Sequence, residues 1–294
     1  MSILGIKEII EISKPRIVVV LVITAVTSMY AASKLIGPEL DTWGLIHIII
    51  AGGLASAGSS ALNHYYDRDI DPLMQRTSGR PIPSGRIKPN SVLIYGLAVS
   101  VISVIYGALA LNYISAIFIA LGIFFYVIIY TAWLKRLNSS NIVIGGFAGT
   151  AASLAGWSAA TGSMDILGFL IGFLVFVWTP SHFWALSLYK AQDYEKAKIP
   201  MLPITNGIEV TKKKIFVYSL FMLPIVILPY YIGFTGKIFL FTSLFLTLYY
   251  NYICYDLLKF KKNKFELNKA KKVFSYSILY LFLLFVLFLI DSLF

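Results

Sequence analysis

Nine stretches of this chain, each about 20 residues long, carry almost no charge. They cover 16–36, 43–62, 91–111, 113–134, 141–161, 166–189, 215–234, 237–258 and 274–294. A helix of that length rises about 30 Å, enough to cross the hydrocarbon of a bilayer. Backbone groups in lipid must satisfy one another within the protein, so such segments are expected to be helical. The expected fold is therefore an all-α membrane protein with nine transmembrane helices, forming one polytopic domain over 1–294. Composition agrees: 58% of the residues are hydrophobic and 13% are charged, against about 25% charged in soluble domains. That excludes a water-soluble globule, and disorder with it. The lone cysteine, Cys254, excludes an internal disulfide and a cysteine-based zinc site.

Charge placement orients the spans. Of the 25 lysines and arginines, 23 fall on the side that receives the N-terminus and the loops 63–90, 135–140, 190–214 and 259–273; Lys34 and Lys237 fall on the other. By the positive-inside rule, the N-terminus is expected in the cytoplasm and the C-terminus outside. The same asymmetry explains the net charge of +11 without nucleic acid. Lys259, Lys261, Lys262 and Lys264 read as part of this orienting cluster. Residues 2–13 read as a short interfacial helix, and no signal peptide or transit peptide is expected, which points to a plasma membrane. The two large cytoplasmic loops, between spans two and three and between spans six and seven, are expected to cap the active site. No span carries an Asp, Glu, Lys or Arg at its middle, which argues against an ion-coupled transporter.

The second span ends in Asn63-His64-Tyr65-Tyr66-Asp67-Arg68-Asp69-Ile70-Asp71-Pro72. Asn63, Asp67 and Asp71, at i, i+4 and i+8, fall on one helix face. Carboxylates so close repel unless a cation lies between them, and acids at a helix C-terminus oppose its dipole. Oxygen ligands on few residues, with positions left open, suit Mg2+ holding a substrate's phosphate oxygens. The plainer alternative is a solvated helix end neutralised by Arg68. Downstream, Arg76 and Arg80 lie in a Gly- and Pro-punctuated loop. They suit a diphosphate, which guanidinium binds bidentately, or simply obey the positive-inside rule.

The sixth span ends in a second cluster. His182 lies among Trp178, Phe183 and Trp184, above Pro180, and a helix continued to Glu195 would put His182, Leu186, Tyr189 and Asp193 on one face. An aromatic surface around one histidine suits a flat apolar ligand with a polar centre, such as a haem, or else an interfacial aromatic belt. Asp193 would bring a second carboxylate to share a metal-bound diphosphate with the first cluster.

These residues resemble the UbiA superfamily of intramembrane prenyltransferases, and within it the branch that farnesylates haem. The resemblance runs through Lys14-Pro15-Arg16, through Asn63 to Asp71 with Met74, Arg76-Thr77 and Arg80-Pro81, and through Tyr130-Thr131 with Lys135-Arg136 and Asn141 to Gly146. It ends in His182-Phe183-Trp184 with Asp193-Tyr194, Ala197 and Ile199 to Pro203. Ala197 stands where the wider superfamily commonly has a second aspartate, and the haem branch is similar in this. The resemblance implies transfer of farnesyl from farnesyl diphosphate to a vinyl group of haem B, with addition of water, to give haem O for a haem A synthase downstream.

It further implies Mg2+ on Asn63, Asp67, Asp71 and Asp193, with Asp67, Asp71 and Asp193 the catalytic carboxylates. The diphosphate falls to Arg16, Arg76, Arg80, Lys135 and Arg136. Haem falls to His182, then His64, with Trp178 and Trp184, while His47 is expected to be structural. Tyr126, Tyr130 and Trp133, at i, i+4 and i+7 on the fourth span, offer π faces to an allylic cation. A prenyltransferase with a quinone-precursor or other aromatic acceptor is the nearest alternative, and a multi-span transporter is the remote one.

Overall fold

Every regular element in the computed structural model, which describes residues 5–36, 39, 41–259 and 265–291, is a helix. In chain order they are α1 (Ile6–Ser13), α2 (Pro15–Leu35), α3 (Thr42–Tyr66), α4 (Pro89–Ala110), α5 (Tyr113–Phe124), α6 (Asn141–Gly145) and α7 (Phe147–Thr161). After these come α8 (Ile166–Tyr189), α9 (Ala191–Lys196), α10 (Leu202–Thr205), α11 (Ile208–Tyr231), α12 (Lys237–Lys259) and α13 (Phe265–Asp291). Among the described residues, nine helical spans are long and apolar enough to cross a membrane, with α5 and its continuation forming the fourth and α6 with α7 the fifth. Residues 2–4 of the expected interfacial helix, Lys261, Lys262, Lys264 and residues 292–294 lie outside the described residues.

The spans pack in chain order, each on the next, and α13 returns to contact α2, closing a ring; α2 against α7 and α8 against α13 add crossing contacts. Short connections enforce this order where α4 meets α5, α7 meets α8 and α11 meets α12. Between α4 and α5, Asn112 caps the new helix by accepting from Ser115 N at 2.8 Å, and its amide donates to Ser158 O on α7 at 2.8 Å. Asp41 and Asp165 cap α3 and α8 in the same way. Small residues set the closest approaches, as expected where lipid supplies no hydrophobic drive between helices. A methyl on Gly156 of α7 would stand 1.9 Å from Ala25 O of α2.

Two span starts differ from the sequence expectation, α13 beginning at Phe265 and not at 274, and the sixth span does not continue as one helix to Glu195. Helix α11 begins at Ile208, not near 215, because Lys212 is 1% exposed and pairs with Glu209 at 2.7 Å, so the basic run continues the helix. Helix α8 stops at Tyr189, and α9 starts afresh at Ala191. The expected single face from His182 to Asp193 is therefore broken.

The fourth span is irregular. From Phe125 to Trp133 the backbone winds as a π-helix, and Thr131 Oγ1 donates to Tyr126 O, five residues back, at 2.8 Å. A π-helical turn is wide and is frequent at functional sites. Here it lies opposite the end of α3.

Candidate active site

Regular α3 ends at Tyr66, short of the acidic run. The chain keeps a helical course a little longer: Asp67 N donates to Asn63 O at 2.9 Å, and Asp71 N to Asp67 O at 2.8 Å. Asn63, Asp67 and Asp71 thus meet although the helix that was to carry them has stopped. Asp67 and Asp71 are 1% and 0% exposed.

Each carboxylate has a side-chain cation. Lys135 Nζ donates to Asp67 Oδ2 at 2.5 Å, and Asn63 Nδ2 donates to the same oxygen at 2.9 Å. Arg80 Nη1 donates to both oxygens of Asp71, at 2.9 and 2.8 Å. Thr131, turned inward by the π-helix, accepts from Asn63 Nδ2 at 3.1 Å. Asp67 Oδ1 is buried with no hydrogen-bond partner. Burial pushes the Asp71 carboxyl above its ordinary range, against the pull of Arg80.

Lys14, to which the sequence assigned no role, completes the cluster. It holds a left-handed conformation (φ 51°, ψ 65°) between α1 and α2, which costs a non-glycine residue about 1–2 kcal/mol. That bend brings Nζ to 2.6 Å from Asn63 Oδ1 and 3.4 Å from the Tyr126 hydroxyl. Burial, then repulsion from Arg80, lowers the Lys14 ammonium well below its usual value. A lysine directly before a proline at a span entrance was the available signal. The contact with Asn63, 49 residues away, was not.

A cavity of about 510 Å3 opens on this cluster. Asn63, Asp67, Asp71, Arg76, Arg80 and Lys135 form its polar wall; Ile17, Leu21, Ile48, Phe118, Ile119 and Ile123 form an apolar one. Tyr126 and Tyr130, stacked with centroids 6.0 Å apart, join the lining, as do Trp178 and His182. His182 stacks on Trp178 at 4.2 Å and on Phe274 at 4.7 Å. Its Nδ1 lies 2.6 Å from the Ser277 hydroxyl of α13, a helix in which the sequence showed no chemical motif.

Other candidates fall outside the cavity lining. Arg16 is exposed, and Lys14 takes its place. Arg136 pairs on the exposed side with Asp69 at 2.6 and 2.7 Å, holding that carboxyl below its usual range. Because α8 ends early, Asp193 is only half-buried and does not line the cavity. Its neighbour Tyr194 does, with its phenol pushed up by burial against the pull of the Arg76 charge. Trp184 is buried against Tyr218, His64 is buried with both ring nitrogens unpartnered, and neither lines the cavity. Trp133 is 55% exposed, because the π-helix breaks the i, i+7 register with Tyr126. His47 bonds Tyr106 at 2.7 Å, far along α3 from the site.

Among the described residues, no three His, Cys, Asp or Glu side chains gather as a ligand set. The donor chemistry nonetheless fits a hard divalent cation shared with a ligand. Asp67 keeps a buried oxygen free, Asp71 stands beside it, and an amide adjoins them, leaving most coordination positions to phosphate oxygens.

A helical ring around a cavity with carboxylates and cations at one end and an apolar wall at the other defines an intramembrane prenyltransferase. The family model described as the UbiA prenyltransferase family matches residues 20–279, and the chain belongs to that family as a multi-pass membrane enzyme. Within it, the chain is similar to proteins named protoheme IX farnesyltransferase. That of Pelagibacter ubique (strain HTCC1062) is 48% identical, covering 99% of this chain and 95% of its own. That of Cenarchaeum symbiosum (strain A), protoheme IX farnesyltransferase 1, is 60% identical, covering 78% of each chain. The fold is also that of a UbiA homolog from Archaeoglobus fulgidus solved with DMAPP and Mg2+. The TM-score is 0.71 at 18% identity, covering 95% of this chain and 99% of that one.

Proposed function

We propose that this enzyme is a protohaem IX farnesyltransferase (haem O synthase): it moves farnesyl from farnesyl diphosphate to a vinyl group of haem B. The carbon–oxygen bond of the diphosphate breaks, a carbon–carbon bond to the vinyl carbon forms, and water adds to the remaining cation with loss of a proton. The observation that carries the reading is one cavity joining a phosphate-type wall, around Asp67 and Asp71, to an aromatic wall holding His182. The similarity to protoheme IX farnesyltransferases selects haem over a quinone precursor as acceptor.

Asn63, Asp67 and Asp71 would hold Mg2+, which when bound neutralises the departing diphosphate. Asp193 is left out of this set because it does not reach the cavity. Lys14, Arg76, Arg80 and Lys135 bind and orient the diphosphate, so that negative charge developing on it meets fixed cations. Tyr126 and Tyr130 line the path of the allylic carbon and present π faces to its positive charge. The apolar wall seats the farnesyl tail and excludes water until the vinyl group attacks. His182, between Trp178 and Phe274, contacts the haem. The chain is read as one domain in a plasma membrane, N-terminus and site on the cytoplasmic side, C-terminus outside, as the lysine and arginine asymmetry supports.

The test is transfer of labelled prenyl from farnesyl diphosphate to haem B by the detergent-solubilised protein. Transfer should stop with EDTA and in Asp67→Asn. Transfer that persists in both overturns the assignment of the polar wall.

A further inference from the structure

Ser277 makes the contact that decides how His182 can act. Its hydroxyl oxygen lies 2.7 Å from the Phe274 carbonyl and 2.6 Å from His182 Nδ1. A serine hydroxyl has one proton to give, and a carbonyl can only accept. That proton therefore goes to Phe274, and the Ser277 oxygen must accept from His182 Nδ1–H. A neutral imidazole protonated at Nδ1 carries its lone pair on Nε2. Among the described residues, nothing hydrogen-bonds His182 Nε2.

The rest of the ring is also fixed. Trp178 and Phe274 both stack on it, at interplanar angles of 18° and 27°, and two rings cannot stack on the same face. Trp178 is itself held by Ser277, since its Nε1 donates to the Ser277 carbonyl at 2.9 Å. With both faces and the Nδ1 edge covered, a ring that lines the cavity can present only its Nε2 edge to it.

We infer that Ser277 is a positioning residue for the acceptor: it fixes the tautomer and plane of His182 so that Nε2 ligates the haem iron. The inference rests on the haem reading of the cavity. Metal-bound histidines usually have the other ring N–H held by an outer partner, which sets the ring and raises its basicity. An acceptor without a metal could only donate a hydrogen bond to that lone pair and would show no iron–histidine band.

The experiment titrates the full-length protein, in detergent micelles, with ferrous haem B. It reads affinity by absorbance and the iron–histidine stretch by resonance Raman, with farnesyl transfer assayed in parallel. The wild type should show the iron–histidine band. His182→Ala should lose it and regain a histidine-type spectrum when imidazole is added. Ser277→Ala should shift the band and weaken haem binding about 10-fold, the low end of what loss of an outer-shell partner costs. Ser277→Thr, which keeps the hydroxyl, should restore both. If Ser277→Ala does not fold, Ser277→Cys carries the test, because its sulfur fills the space but accepts weakly. Wild-type affinity and an unshifted band in Ser277→Ala or Ser277→Cys, in a protein that farnesylates haem, overturn the inference and leave the function standing. A wild-type protein that neither binds nor farnesylates haem B overturns the function, and the inference with it.

Discussion

The Lys135–Asp67 pair separates stability from chemistry. The two side chains are 9% and 2% exposed and meet at 2.5 Å. At an effective dielectric of about 20, their attraction is on the order of 7 kcal/mol before desolvation is subtracted. Lys135→Met leaves Asp67 buried with only the Asn63 amide on its bonded oxygen, and breaking such a pair costs about 3–5 kcal/mol. The pair lines a cavity, so the low end applies, and each single variant, Lys135→Met or Asp67→Asn, should lose about 3 kcal/mol. The double variant removes both charges and should lose about 3 kcal/mol or less in total, a coupling of about 3 kcal/mol. Denaturant unfolding in detergent micelles measures this. Prenyl transfer should still fall at least about 100-fold in all three, since the charges that meet the diphosphate are gone. Additive losses of about 6 kcal/mol in the double variant, or recovery of activity along with stability, would refute the reasoning.

Lys14 should couple diphosphate binding to proton uptake. Its pKa in the free protein is depressed, so it is less protonated than an ordinary lysine, and a bound anion raises it again. Calorimetry in buffers of different ionisation enthalpy should show uptake that rises with pH through the depressed pKa and is absent in Lys14→Met. By linkage, the unfolded chain binds the extra proton between that pKa and 10.5, so the Lys14 contribution to stability becomes more favourable as pH rises across that window. Arg80→Gln should raise KM for the prenyl diphosphate at least about 10-fold, as loss of a charge-assisted bidentate contact. Arg136→Gln, on the exposed Asp69 pair, should change it less than about 3-fold and stability by no more than about 1 kcal/mol. Gly156→Ala should destabilise the fold by about 1–3 kcal/mol in thermal unfolding, because its methyl meets the Ala25 carbonyl.

The spans were legible because lipid imposes one crude requirement, length without charge, and Pro15–Leu35, Ile166–Tyr189 and Lys237–Lys259 lie within a residue of their expected bounds. The start of α11 was misjudged because a basic run at a helix end reads as a loop while it can bury its stems and continue the helix. The acidic cluster was legible because Asn63, Asp67 and Asp71 are local in sequence. The break between α8 and α9 was not, and it replaced Asp193 with Tyr194 at the cavity. Nothing in Phe125–Trp133 announces a π-helix, whose wider turn decides that Thr131 faces Asn63 and Trp133 faces away. Lys14 and Ser277 were missed for one reason. Their partners lie 49 and 95 residues away, and only the closed ring of helices brings them together.

The most direct test of the account is the mass of the haem recovered after the purified protein is incubated with haem B, farnesyl diphosphate and Mg2+. The account predicts haem carrying one added farnesyl plus one water, formed only with Mg2+ and lost in Asp67→Asn. Unmodified haem, with a quinone precursor prenylated under the same conditions, would contradict it.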